Sequence, residues 1–153
     1  MEIRKAVGLI AICALMLFPL ASVAGGKYDG NWTTNMSCEA HGETPAYSWQ
    51  FPSTITNNVY HGQHNAQGQP GYLVIDGTIA DDGSSKLHAQ GTVQENHAHG
   101  IFAMKGNNYD YDIMAQFTDT KGTGKRNEGA GILGRPCTFD FEKLPDTPPS
   151  GGQ

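Results

Sequence analysis

Charge is thin in this 153-residue chain: Asp, Glu, Lys and Arg together reach only 16%. With six Tyr, six Phe and two Trp also present, so few charges exclude a disordered polymer. The 20 glycines carry no Gly-X-Y period, which excludes collagen. Bases are the scarcer charge, and the clustered Lys and Arg that a phosphate backbone asks for are missing, so general nucleic-acid binding is excluded. Nothing after residue 24 has helical periodicity, and only Glu95 to Met104 leaves room for a short helical turn. Catalytic signatures are missing as well: there is no Gly-x-Ser-x-Gly, no His-Glu-x-x-His and no cysteine placed as a nucleophile. The chain reads as one non-enzymatic globular domain for which neither a cofactor nor a metal is expected.

What is present begins with an address. Arg4 and Lys5 precede an unbroken apolar run from Ala6 to Phe18, and Ser22 and Ala24 are the small residues before a cut at Gly25. Residues 1–24 are therefore expected to be a signal peptide. The run is too short to span a ~30 Å hydrocarbon layer, and no second one follows, so no membrane span is expected after cleavage. Removing Glu2, Arg4 and Lys5 leaves 14 acidic and 8 basic residues, a formal charge of −6. Cys13 leaves with the signal, and the remaining pair, Cys38 and Cys137, is expected to form a disulfide in an oxidising compartment, periplasmic or extracellular.

Period two runs through the rest. Tyr47, Trp49, Phe51, Ser53 and Ile55 alternate with polar residues, as half-buried strands do. The same holds for Leu73 to Ile79, Leu87 to Val93, Tyr109 to Phe117, and Cys137 to Phe141. A fuzzier first strand places Tyr28, Gly30, Trp32, Thr34, Met36 and Cys38 in one phase. Two weak strands, Val59 to His64 and Thr123 to Glu128, bring the count to about eight, joined at turn signals such as Asn57-Asn58, Asp82-Gly83 and Lys121-Gly122. The expected fold is all-β: a small antiparallel up-and-down barrel over residues 25–144, with a two-sheet β-sandwich as the alternative. Residues 145–153, rich in Pro, Ser and Gly, are expected to be a disordered tail. Both cysteines share the inward phase of terminal strands, which are neighbours only if the meander closes.

Candidate chemistry is sparse. The pairs His61/His64 and His97/His99 lack the further ligands of a tetrahedral site and read as solvated. Lys121 to Arg126 fails as a phosphate loop, because Asp119 stands where a glycine is needed and Arg126 where Ser or Thr would hold magnesium. Asp110 and Asp112 fall in an outward phase, where water screens them.

One irregularity points to a site: the apolar pattern lapses around Val59 to Gln63 and Thr123 to Asn127, strands that lie opposite each other in an eight-stranded barrel. His61 and Gln63 are then expected to look across the mouth toward Lys125 and Arg126, with Trp49, Tyr60 and Tyr111 near by, as a pocket for a small molecule or glycan. The competing reading makes these residues solvated, or makes Arg126 and Arg135 surface partners of Asp110, Asp112 or Glu128. Ile101, Phe102 and Met104, in the polar segment from Gln94 to Asn108, suggest instead an envelope-protein or inhibitor contact made by a loop.

Tyr28-Asp-Gly-x-Trp32, His61-Gly-Gln, Gly68-Gln-Pro-Gly71, Asp82-Gly, Gly122-x-Gly-x-Arg126 and Arg135-Pro-Cys137 together resemble a family of small exported bacterial proteins. The resemblance covers about Tyr28 to Leu144 and implies a secreted or periplasmic β-domain, with no implied reaction, substrate or site residue. Between the two arginines, Glu128 to Gly134 is longer than the family's link. In layout alone the strand order is similar to avidin-like and lipocalin-like barrels.

Overall fold

Apolar residues at every second position need a covered face, and here the sheet covers itself. The computed structural model describes residues 25–40, 45–94, 106–126 and 135–145. Its strands are β1 (Gly30–Cys38), β2 (Tyr47–Thr56), β3 (Val59–His64), β4 (Leu73–Thr78), β5 (Ser84–Thr92), β6 (Asn108–Phe117), β7 (Lys121–Arg126) and β8 (Cys137–Lys143). Each is antiparallel to the next, and β1 pairs with β8 from Trp32↔Lys143 to Cys38↔Cys137, closing an eight-stranded up-and-down barrel. Closure removes every sheet edge, which disposes of the sandwich alternative.

The inward phase is the core: Trp32, Met36, Phe51, Ile55, Tyr60, Leu73, Ile75, Leu87, Ile113, Phe117, Phe139 and Phe141 are all buried. A small polar cluster sits among them. Thr34 Oγ1 lies 2.6 Å from the Tyr60 hydroxyl and 2.8 Å from Ser53 Oγ, so three buried hydroxyls satisfy one another.

The two ends of the barrel differ. At the lower end the connections are short: Asn57-Asn58, residues 79–83 and residues 118–120. Asn57 and Asn58 both adopt positive φ (52° and 61°), the left-handed pair that a two-residue hairpin requires. Their backbone N–H groups donate to the Asp29 carboxylate. Withdrawal from water raises the Asp29 carboxyl, but N–H bonds from Asn58, Asn57 and Gly26 outweigh it and hold the group below the usual range. Tyr28 and Trp32 plug this end, with the Trp32 indole edge-on to Phe117 (84° at 5.8 Å) and its Nε1–H donating to the Tyr28 carbonyl (3.0 Å). The upper end carries the long connections: 39–46, 65–72, 93–107 and 127–136. Residues 1–24, the expected signal, and 146–153, all but the first residue of the expected 145–153 tail, lie outside the described residues, as do 95–105 with His97, His99, Ile101, Phe102 and Met104, and 127–134 with Asn127 and Glu128.

β7 begins two residues earlier than its pattern suggests, at Lys121, a position expected to be a turn. The reason is that its inward positions are Gly122 and Gly124, which leave no apolar mark in the sequence. A Cβ at Gly122 would lie 2.7 Å from Phe117 Cδ1, and that ring is already held between Trp32, Tyr60 and Phe141. Gly122→Ala is therefore expected to cost about 1–3 kcal/mol through overpacking, read as a lower urea midpoint at unchanged slope. An unchanged midpoint would show that Phe117 has room to move.

Cys38 and Cys137 face each other across β1 and β8, buried and disulfide-bonded, with Cα atoms 4.1 Å apart, just under the usual range. Such a bond persists in oxidising, exported environments. Among the described residues no helix is long and apolar enough to cross a membrane.

Candidate functional site

Strand parity decides which side chains reach the upper opening. Counting inward positions toward that end gives Met36 on β1, Tyr47 and Trp49 on β2, His64 on β3, Tyr109 and Tyr111 on β6, and Arg126 on β7. Arg135 joins them from just before β8.

These groups form two stacks. In the first, the Trp49 and His64 rings are parallel (5°) at 4.3 Å, and Tyr47 packs on Trp49 at 5.0 Å. His64 Nδ1 lies 2.9 Å from the Gly71 carbonyl oxygen, which can only accept, so Nδ1 carries a proton. In the second stack, Tyr109 and Tyr111 lie parallel (5°) at 6.0 Å, and the Tyr111 hydroxyl points at Met36 Sδ, 3.8 Å away. The Tyr109 ring lies over Gly91, its partner on β5, where a Cβ would be 2.6 Å from the phenol oxygen, so glycine is what admits this ring.

Each stack ends on a cation. The Arg126 guanidinium lies over the Tyr111 face at 4.3 Å, and that of Arg135 over Tyr47 at 4.9 Å, also hydrogen-bonding the Tyr47 phenol. Burial pushes the phenols of Tyr47, Tyr109 and Tyr111 above the usual tyrosine range, with the arginine charges pulling the other way. All three are therefore neutral at physiological pH, and no phenolate cancels the arginine charges. A shallow cavity of ≈ 480 Å³ lies on the outer wall near the same end, lined by the outward-facing Val74, Gln90, Asn108 and Asp110 with Gln67, Tyr72 and Tyr109 at its edge. Tyr109 belongs both to the cavity wall and to the second stack. Stacked rings and guanidinium edges can hold a flat molecule and an anionic group.

Of the residues expected at the mouth, Trp49, Tyr111 and Arg126 are there. Tyr60 is not: it is fully buried lower in the barrel, against Phe117 and Phe141. His61, Gln63 and Lys125 are on the outer surface, because the inward positions beside them are Tyr60, Gly62 and Gly124. There His61 Nδ1 is 2.6 Å from Asp76, and the row continues across the strands through His88 to Asp112. Asp110 and Asp112 do face outward, with Asp112 held by Lys86 (2.7 Å) and His88 (3.0 Å) rather than by an arginine.

His64, expected to be solvated, is instead a mouth residue; Tyr47 and Tyr109, read only as strand positions, and Arg135, read as a surface partner of Asp110, Asp112 or Glu128, join it there. Parity alone identifies the first three, whereas the approach of Arg135 depends on the fold. Among the described residues no group of three or more His, Cys, Asp or Glu is arranged to hold a metal ion.

No family model, curated protein or solved structure matches this chain.

Proposed function

We propose that this barrel is a non-enzymatic binding module, exported to the periplasm or secreted, that holds a small ring-bearing molecule or glycan at its upper mouth. The observation that carries the reading is the pair of ring stacks, Trp49–His64 with Tyr47 and Tyr109–Tyr111, gathered at the end where the long connections leave. Small-molecule sites are aromatic with a few placed polar groups, and the stacked rings with the two arginines supply both kinds of group. The lower end, plugged by Trp32, Tyr28 and Phe117, leaves a ligand only one way in. The disulfide supports the compartment.

Titration with N-phenyl-1-naphthylamine, a neutral aromatic probe whose emission rises on burial, tests this reading. Saturable binding is expected, with an affinity about tenfold lower or more in Trp49→Ala and Tyr109→Ala, as loss of an aromatic contact costs on the order of 1–3 kcal/mol. Quenching of Trp49 rather than Trp32 emission, resolved with Trp32→Phe and Trp49→Phe, places the probe at the upper end. Binding untouched by both alanine variants would sink the site.

A further inference from the structure

The mouth presents a cation with a buried N–H that has no acceptor among the described residues. Arg126 spends the flat face of its guanidinium on the Tyr111 ring, 4.3 Å away, and that contact takes none of its five N–H groups. Its Nε is buried, and among the described residues it has no hydrogen-bond partner. A buried N–H without an acceptor is costly, so such a donor marks a place where an acceptor is wanted. Asp112, on the adjoining strand, faces the outside and pairs with Lys86 and His88 rather than with Arg126. The neighbouring phenols of Tyr47, Tyr109 and Tyr111 stay neutral and so supply no counter-charge.

We infer that the mouth is an anion site: its ligand carries a carboxylate, sulfonate or phosphate that accepts hydrogen bonds from Arg126 while the attached ring lies against the aromatic stacks. The inference rests on the reading of the mouth as the binding site and adds the ligand's charge. The chemistry fits the side chain, because a guanidinium meets two oxygens of an anion at once in a fork geometry that lysine lacks. Stacking on Tyr111 fixes the plane of the fork in advance, so less side-chain freedom is lost on binding.

Two probes that differ by one group test it. 8-Anilinonaphthalene-1-sulfonate is N-phenyl-1-naphthylamine with a sulfonate added. The sulfonate form is expected to bind the full domain about tenfold tighter or more than the neutral form, and the advantage should shrink as salt is raised. Arg126→Met should erase that advantage, read as the ratio of the two probes' affinities in the variant against the same ratio in wild type. Arg126→Lys should restore only part of it. Lys125→Met removes the same charge one residue away on the outer face and should change neither probe; it also serves as the folded control if the Arg126 variants are destabilised.

Equal affinity for both probes, with both lost in Trp49→Ala, overturns the anion site and leaves the mouth reading standing. A sulfonate advantage that survives Arg126→Met and Arg126→Lys, or that Lys125→Met abolishes equally, also overturns it. Absence of binding by either probe overturns both readings together.

Discussion

Replacing Cys38 and Cys137 together by alanine should lower the stability of the domain by about 2–5 kcal/mol and its melting temperature by on the order of 10–20 °C. The bridge joins positions 99 residues apart, and the chain-entropy account gives about 4–5 kcal/mol for a loop of that size. The folded barrel has little need of it, since β1 and β8 are already paired over seven positions from Trp32 to Cys38. The effect therefore arises in the unfolded chain, which loses conformations when its ends are tied. Two observables follow. The urea slope of the variant should be steeper, because an untied chain exposes more surface on unfolding, and reduced wild type should unfold like the variant. A stability change below about 1 kcal/mol would mean that the untied chain is nearly as compact as the tied one.

Alkaline pH should unfold the barrel steeply above pH 10. Withdrawal from water pushes the Tyr60 phenol up to about 12, with hydrogen bonds to Thr34 and Ser53 opposing part of the rise. Tyr47, Tyr109 and Tyr111 shift in the same direction. An unfolded tyrosine ionises near 10. Above that pH the unfolded chain has released a proton that the folded chain still holds, so stability falls as pH rises. The contribution is complete below about pH 10 and is lost as pH climbs through the folded-state value. For Tyr60 alone the two units correspond to roughly 3 kcal/mol between pH 10 and 12. Tyr60→Phe separates this effect from packing. It should cost about 1 kcal/mol at neutral pH, where Thr34 loses a partner, yet show a shallower decline between pH 10 and 12. Parallel declines for the variant and wild type would assign the alkaline transition to other groups.

The barrel was legible wherever an inward position carries a side chain. β2, β4, β5, β6 and β8 each announce themselves by alternation, and the shared phase of Cys38 and Cys137 pointed to closure. β3 and β7 read as polar for the opposite reason to the one expected. Their inward positions include Gly62, Gly122 and Gly124, whose missing side chains make room for Tyr60 and Phe117. The polar residues that remain visible in the sequence, His61, Gln63 and Lys125, are the outer face, and a lapse in apolar pattern was mistaken for a polar interior. Counting parity from Tyr60 through Gly62 leads to His64, and from Gly122 through Gly124 to Arg126. Arg135 lies outside any strand, and its place over Tyr47 comes from the closure of β8 on β1, which no local pattern encodes.

The uneven ends of the barrel also bear on how such a molecule can change over time. Register is set below, by the Asn57-Asn58 hairpin, the Asp29 carboxylate and the Trp32 plug, while the four longer connections join strands whose ends are at the top of the barrel. The entropy of closing a loop grows only slowly with its length. Insertions and substitutions in 39–46, 65–72, 93–107 or 127–136 can therefore accumulate at little cost to folding, each altering what the mouth admits. On the binding role proposed above, variation in specificity is then uncoupled from stability, and one frame can carry mouths of different chemistry.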